Sequence, residues 1–358
     1  MMQGLLITAA VAAIVSFPLH AGAADKVAVS FANAAPPSIA LGPYAVAELM
    51  NYFSDEGLEV SLKTFAGGAN TVAQTVNKAA DISLPGNEPV IIGKQAGRDP
   101  LPVKFYYNAS PTNIWEMVVL ADSPIKTLKD LKGRNIGIFA PSASNVPQIK
   151  AVLRRQGMDP DKDVQMRSIG LGAGALNALK TGVVDVIALY DTEHAAFETT
   201  GTAIRRLQRD ETSDQLFSNG LLAHEDWFKD ASRRETLVKF ARSYAKGSLF
   251  CETNPKACVQ LTWRKFPQTK PTGIEESKAL QDAIFVLKAK VETQRLRGYQ
   301  NNEYGRYEPA RWQTYVDFML SEKVIEQPVD ITSLFTNELV PAINNFDREA
   351  VVKQAQAQ

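Results

Sequence analysis

The sequence predicts an α/β protein of two lobes, each a mixed sheet flanked by helices, with a ligand cleft between them. Three observations carry this expectation. Short strand patterns alternate with amphipathic helical patterns from Lys26 to about Gly220. Two distant stretches, FAGGANTVAQTVNKAADIS from Phe65 and IGLGAGALNALKTGVVDVI from Ile169, echo each other, each reading as strand end, Gly-rich turn, amphipathic helix and Asp opening an apolar strand. Finally, 358 residues with 45% hydrophobic side chains are long for a single core.

At the start, the apolar run from Leu5 to Leu19 leads to Ala21-Gly22-Ala23, the small-x-small pattern of a signal-peptide cleavage site. The run is shorter than the roughly 20 residues of a membrane-spanning helix. Residues 1–23 therefore read as a signal peptide cleaved near Ala23. No cysteine follows that point to take a lipid, so the expectation is an unanchored protein of the periplasm.

Lys26 to Phe31 alternates as a half-buried strand does and runs into the turn Ala34-Ala35-Pro36-Pro37-Ser38. Val46, Leu49, Met50 and Phe53 fall on one helical face and predict one continuous helix, which Gly57 ends before a strand from Leu58 to Phe65. After the first echo copy, Val103–Asn108 and Trp115–Ala121 read as strands joined by Ala109-Ser110-Pro111-Thr112, a crossing between lobes. Asn135–Ala140 is the next strand, followed by a helix with Val146, Ile149, Val152 and Leu153 on one face. Beyond the second copy, Gly220–Ala223 returns the chain to the first lobe, and the helical stretches Ser232–Leu261 and Ser277–Leu320 are expected to pack there. The expected division is 24–110 for the first part of lobe one, 111–215 for lobe two, and 216–358 for the return to lobe one with a C-terminal helical extension.

Cys251 and Cys258 are the only cysteines. On a continuous helix their Cα atoms would lie about 10 Å apart, too far for a disulfide. Asn254-Pro255 between them offers a helix N-cap and first position, which would turn the chain. A disulfide and two buried thiols both remain open on this pattern.

The 39 basic and 39 acidic residues cancel, so no electrostatic footprint for nucleic acid exists, and a monomer is expected. Serine-hydrolase, zincin and P-loop motifs are absent. Beyond Ala23 the only histidines are His194 and His224. They read as solvated or capping residues, with His194 near enough to a predicted loop to serve as a ligand contact. No catalytic residue, metal or cofactor is expected.

Binding has better support. Gly67-Gly68-Ala69-Asn70 and Ser142-Ala143-Ser144-Asn145 each lie between a strand and a helix N-terminus, where unpaired N–H groups and the helix dipole favour an anionic group. Such loops at strand carboxyl ends converge on a cleft in open α/β sheets. Tyr44, Phe65, Trp115, Phe139 and Tyr190 flank them and suit an apolar or planar ligand body. Glu88 and Asp191 end equivalent strands of the two copies and could accept hydrogen bonds from an amine or amide.

At GLEVSLKTFAGGANTVAQTV, ADSPIKTLKDLKGRNIGI (121–138) and LKTGVVDVIALYD the sequence resembles the substrate-binding proteins of ABC importers, in the group taking sulfonates, taurine, nitrate and thiamine-pyrimidine precursors. The resemblance implies a type II periplasmic-binding fold whose lobes close on a ligand and then dock on an inner-membrane permease with its ATPase. Contacts carried over by position would come from Pro37, Ser38, Gly67, Gly68, Asn70, Asn87, Glu88, Asn108, Trp115, Ser142, Ser144, Asn145, Tyr190 and Asp191. Two positions depart from the group: Lys78 stands where a Gly is usual, and Leu189-Tyr190-Asp191 replaces Trp-Glu-Pro. The expected ligand is a sulfonate- or taurine-like organic anion or zwitterion, the alternative a thiamine-pyrimidine precursor or another heteroaromatic. A pyrimidine-synthase-like enzyme, whose Cys-rich motif this chain lacks, and a ligand-sensing protein are the readings of other classes.

Overall fold

The computed structural model describes residues 26–294 and 302–358, so the expected signal peptide lies outside the described residues. Ten strands form two five-stranded sheets. The first contains β1 (Val27–Asn33), β2 (Leu58–Thr64), β3 (Ile82–Leu84), β4 (Val103–Asn108) and β10 (Gly220–His224), in the order β2-β1-β3-β10-β4. The second contains β5 (Trp115–Leu120), β6 (Asn135–Ile138), β7 (Gln165–Ser168), β8 (Val186–Tyr190) and β9 (Ile204–Arg206), in the order β7-β6-β8-β5-β9. Each sheet has three parallel strands and then one strand, β10 or β5, antiparallel to both its neighbours. The topology is therefore repeated.

The echo in the sequence has a physical basis in two carboxylates. Asp81, just before β3, accepts hydrogen bonds from the Ser30 N–H and hydroxyl, both at 2.7 Å. Asp185, just before β8, accepts from the Asn135 N–H at 2.8 Å. Each ties the central strand of its sheet, β3 or β8, to the parallel neighbour β1 or β6. The intervening helices, α3 (Gly68–Val76) and α6 (Gly172–Lys180), begin at the Gly-rich turns.

The continuous helix expected across Val46–Phe53 is broken into α1 (Gly42–Leu49) and α2 (Tyr52–Asp55). Asn51 stands between them with φ 63°, a left-handed conformation that Asn tolerates better than most residues. Just after the break, Tyr52 and Phe53 are both buried. Further helices are α4 (Glu88–Gly93), α5 (Val146–Arg155), α7 (Asp191–Thr199), α8 (Glu211–Gln215) and α9 (Asp226–Lys229).

Four long helices follow: α10 (Ala231–Thr253), α11 (Pro255–Lys265), α12 (Glu276–Gln294) and α13 (Pro309–Ser321). α10 and α11 pack on α1, in the expected place. The other two bridge instead of staying on the first lobe. α12 packs along α7, and α13 lies against α5 and α8, all three from the chain around the second sheet. The apolar face Trp312, Tyr315, Val316 and Met319 of α13 joins a core that takes Phe105 and Val90 from the first sheet's side and Met117, Ile138 and Val152 from the second's. Periodicity shows which face of such a helix is buried; it does not show against what. No helix among the described residues is long and apolar enough to cross a membrane.

Cys251 and Cys258 are bonded, with Cα atoms 5.0 Å apart. Asn254 caps α11 by accepting from the Ala257 N–H at 3.0 Å, and Pro255 occupies the first turn. That cap reverses the chain and brings the two sulfurs together.

Candidate ligand-binding site

A cavity of about 90 Å³ lies between the carboxyl ends of the two sheets. The first lobe contributes the loop after β1 (Asn33 to Leu41), the start of α3 (Gly67, Gly68), the end of β3 (Leu84, Gly86) and Asn219. The second contributes Ile114 and Trp115 at the start of β5, Phe139 after β6, Ala143–Asn145, and Leu189–Thr192 at the end of β8. Lys290 enters from α12.

Of the expected contacts, Ser38, Gly67, Gly68, Trp115, Ser144, Asn145, Tyr190 and Asp191 line this cavity. The others lie elsewhere. Pro37 faces a separate surface groove with Gln268 and Thr269. Asn70 is exposed and donates to the Ala66 carbonyl at 2.7 Å. Asn87 is buried behind the cleft, donating to the Phe217 carbonyl at 3.0 Å. Asn108 is buried in its strand, its N–H bonded to the Gly305 carbonyl at 2.9 Å. Ser142 sits at the cavity mouth, where its hydroxyl donates to the Ala66 carbonyl at 2.7 Å.

Glu88 is the largest correction. Tyr315 of α13 covers it and donates to Oε1 at 2.6 Å, so it cannot meet an amine from the ligand as its counterpart Asp191 could. Burial pushes its pKa from 4.5 to about 7, against the opposing effect of the Tyr315 bond. The folded protein thus holds a proton there that the unfolded chain releases, so this group's contribution to stability falls as pH rises from about 4.5 to about 7. Glu88→Gln should flatten that part of the profile and make the variant more stable than wild type at pH 8 by a few kcal/mol. Urea unfolding of both proteins at pH 5 and pH 8 measures this; parallel pH profiles would refute it.

The histidines differ from expectation in one case. His224 Nδ1 accepts from the Asp226 N–H at 3.2 Å, a capping role. His194 is neither solvated nor in the cavity; it is buried on α7, with Nδ1 3.0 Å from Glu116 Oε2. Burial lowers its pKa while Glu116 pulls the other way.

Loops of the two lobes meet across the cavity mouth. The Ala69 N–H donates to the Ser142 carbonyl at 3.2 Å, and the Gly86 N–H to Ser144 Oγ at 3.0 Å. A free N–H at the start of α3, where an anion was expected, is therefore taken by the facing lobe. At the start of α7, Asp191 in the first helical position accepts from the Thr192 N–H through Oδ1 at 2.7 Å. A carboxylate there repels an anionic head rather than attracting it.

The charged residues of the lining are Asp191 and Lys290. Lys290 is buried, and Nζ donates to Ser110 Oγ at 3.2 Å on the crossing between the sheets. Burial lowers its pKa, and the nearby Asp191 carboxylate raises it. Nothing in the local pattern marks Lys290 beyond its place one helical turn from Leu287. Three lining atoms are buried without a hydrogen-bond partner among the described residues: Trp115 Nε1, Thr192 Oγ1 and Asn219 Oδ1. Trp115 and Tyr190 meet edge to face at 6.1 Å. The cavity thus offers apolar and aromatic walls with one donor, one acceptor and one hydroxyl in need of partners.

Residues 39–258, more than half of the chain, match the model of the family described as NMT1/THI5 like. The chain belongs to that family. Among its relatives is the riboflavin-binding protein RibY of Chloroflexus aurantiacus, 24% identical over 316 residues, covering 87% of this chain and 86% of that protein. The alkanesulfonate-binding protein SsuA of Xanthomonas axonopodis pv. citri, solved bound to MOPS, superposes with a TM-score of 0.62 at 14% identity, covering 88% of this chain and 100% of that one. The desulfurization enzyme DszB superposes with a TM-score of 0.56 at 14% identity, covering 89% and 99%. These likenesses establish the type II periplasmic-binding fold. The family and its structural neighbours are mostly binding proteins, with an enzyme among them.

Proposed function

We propose that this member of the family is the solute receptor of an ABC importer and that its ligand is a small planar heteroaromatic compound. The observation that carries the ligand class is the set of unpartnered polar atoms Trp115 Nε1, Thr192 Oγ1 and Asn219 Oδ1 in an aromatic-walled cavity, where the Ala69 N–H at the start of α3 and the Thr192 N–H at the start of α7 already have acceptors. A flat ring bearing both an acceptor and a donor satisfies Trp115 Nε1 and Asn219 Oδ1 while stacking or edging against Trp115, Tyr190 and Phe139. The sulfonate- or taurine-like reading is retained as second because Lys290 lines the same cavity, with Asp191 to take an amine.

On this reading the protein is a monomer, reaches the periplasm through a signal peptide cleaved near Ala23, and docks on a permease when its lobes close. On the same reading it acts as a receptor and not as an enzyme, which is consistent with the bonded cysteines and with a cavity lining that holds neither described histidine. Thermal-shift and calorimetric screening of the mature protein against pyrimidines, flavins, aromatic carboxylates and amino-sulfonates tests it. A ligand at 100 times its Kd stabilises by about 2.7 kcal/mol. The expected result is a rise with a ring compound that Trp115→Ala weakens about 100-fold, since a large aromatic contact is lost. A rise with amino-sulfonates alone would favour the second reading, and no rise with any group would refute both.

A further inference from the structure

Beside Trp115 lies a second, smaller space of about 40 Å³, partly open to the surface and bordered by β5, β8, α5, Leu128 and the segment from Leu207 to Ser213. Trp115 and Asn145 line both this compartment and the inter-lobe cavity, so the two spaces adjoin at these side chains. Asn145 is held there by donating to the Ala188 carbonyl at 3.1 Å. Trp115 is held by no side-chain hydrogen bond among the described residues, because its Nε1 is without a partner.

The compartment is not an ordinary packing defect, since such voids are apolar. Gln148 on α5 is 5% exposed and Ser213 1% exposed, and Gln148 Oε1 and Ser213 Oγ are buried with no partner among the described residues. The charges at its edge are already neutralised. Glu116 accepts from Arg206 at 3.0 Å, and Arg209 donates to Asp214 at 2.8 Å and to the Asn113 and Trp115 carbonyls at 3.0 Å. What is left to satisfy is neutral: an acceptor on Gln148 and a hydroxyl on Ser213. The space has room for roughly three waters, or a chain of three or four heavy atoms.

We infer that this compartment is the second half of the ligand site and receives a short neutral arm, bearing a hydroxyl or amide, while the ring of the ligand stays between the lobes. The inference rests on the receptor reading above. An arm carrying a donor to Gln148 Oε1 replaces bound water there and leaves the inter-lobe contacts unchanged. A charged arm is excluded because no unpaired counter-charge faces the space and an unpaired charge is expensive to bury.

The test uses two 4-aminopyrimidines that differ only in a methyl group or a 3-hydroxypropyl arm, titrated by calorimetry into wild type, Gln148→Leu and Val152→Phe. Gln148 and Val152 line the compartment and not the inter-lobe cavity; the first variant removes the acceptor at nearly constant volume and the second fills the space. The arm is expected to improve binding to wild type about tenfold and to lose that advantage in both variants, with the affinity for the methyl compound unchanged. Equal affinities in wild type, or an advantage that survives in both variants, would overturn the inference. If neither compound binds wild type, the pyrimidine form of the heteroaromatic reading fails, and crystals soaked in 1,3-propanediol decide the compartment separately. A diol bonded to Gln148 and Ser213 would support it, and water alone would overturn it.

Discussion

Gly68→Ala is expected to weaken ligand binding by one to two orders of magnitude without destabilising the protein. An added Cβ at Gly68 would lie 1.8 Å from Ser144 Oγ of the facing lobe. Ser144 cannot swing aside freely, because its Oγ accepts from the Gly86 N–H at 3.0 Å and an added Cβ at Gly86 would likewise meet Ser144 Cβ at 2.4 Å. The contact must therefore open, at the 1–3 kcal/mol typical of overpacking. The first lobe alone has no reason to suffer, since Gly68 begins α3 with a negative φ and Ala favours a helix. Calorimetry with the ligand found by screening, and small-angle scattering with and without it, measure the effect. Adding Ser144→Gly should restore most of the loss, as contacting sites couple strongly. An unchanged affinity in the single variant, or no recovery in the double, would show that the lobes need not meet at this point.

Replacing both cysteines by serine, or reducing the wild type, should lower stability by about 2–3 kcal/mol. Cys251 and Cys258 are separated by 7 positions, and the chain-entropy estimate for so short a loop is near the lower end for disulfides. For a protein of this size the melting temperature should fall by roughly 3–4 °C. The bond is also placed to affect binding. An added Cβ at Gly42 would lie 2.7 Å from Cys258 Sγ, so the sulfur packs against the start of α1, directly behind the loop that brings Ser38 to the cavity. Reduction should loosen that loop and weaken binding several-fold. Calorimetric scans with and without reductant check the first effect and ligand titration the second; a reduced protein with unchanged melting would remove the disulfide from the stability account.

The two sheets were legible because their signals are local. Alternation in Val27–Asn33, the Gly-rich turns at Gly68 and Gly172, and the aspartates Asp81 and Asp185 each act within a few residues or on a neighbouring strand. Ser38, Gly67, Ser144 and Tyr190, read from the sequence as loop residues at strand ends, likewise line the cavity between the sheets. What escaped depended on distant chain. Glu88 matches Asp191 in the repeat, yet only the placement of α13 decides that Tyr315 covers one and not the other. Lys290 reaches the cavity because α12 crosses to α7, a packing choice between amphipathic faces that composition cannot resolve. The buried pair of His194 with Glu116 was hidden for the same reason, as strand and helix supply one partner each.

The repeated topology also constrains how the chain can be made. The second sheet is continuous in sequence, from Trp115 to Arg206, and can close as soon as those residues have emerged. The first cannot, because β10 sits between β3 and β4 and is synthesised after the whole of the other sheet. Until Gly220 to His224 arrive, β3 and β4 present unpaired edges, the kind of surface that recruits strands from other molecules. The half of the protein that begins first is thus the half that finishes last, and a chain stopped short of β10 would carry one completed sheet attached to an aggregation-prone one.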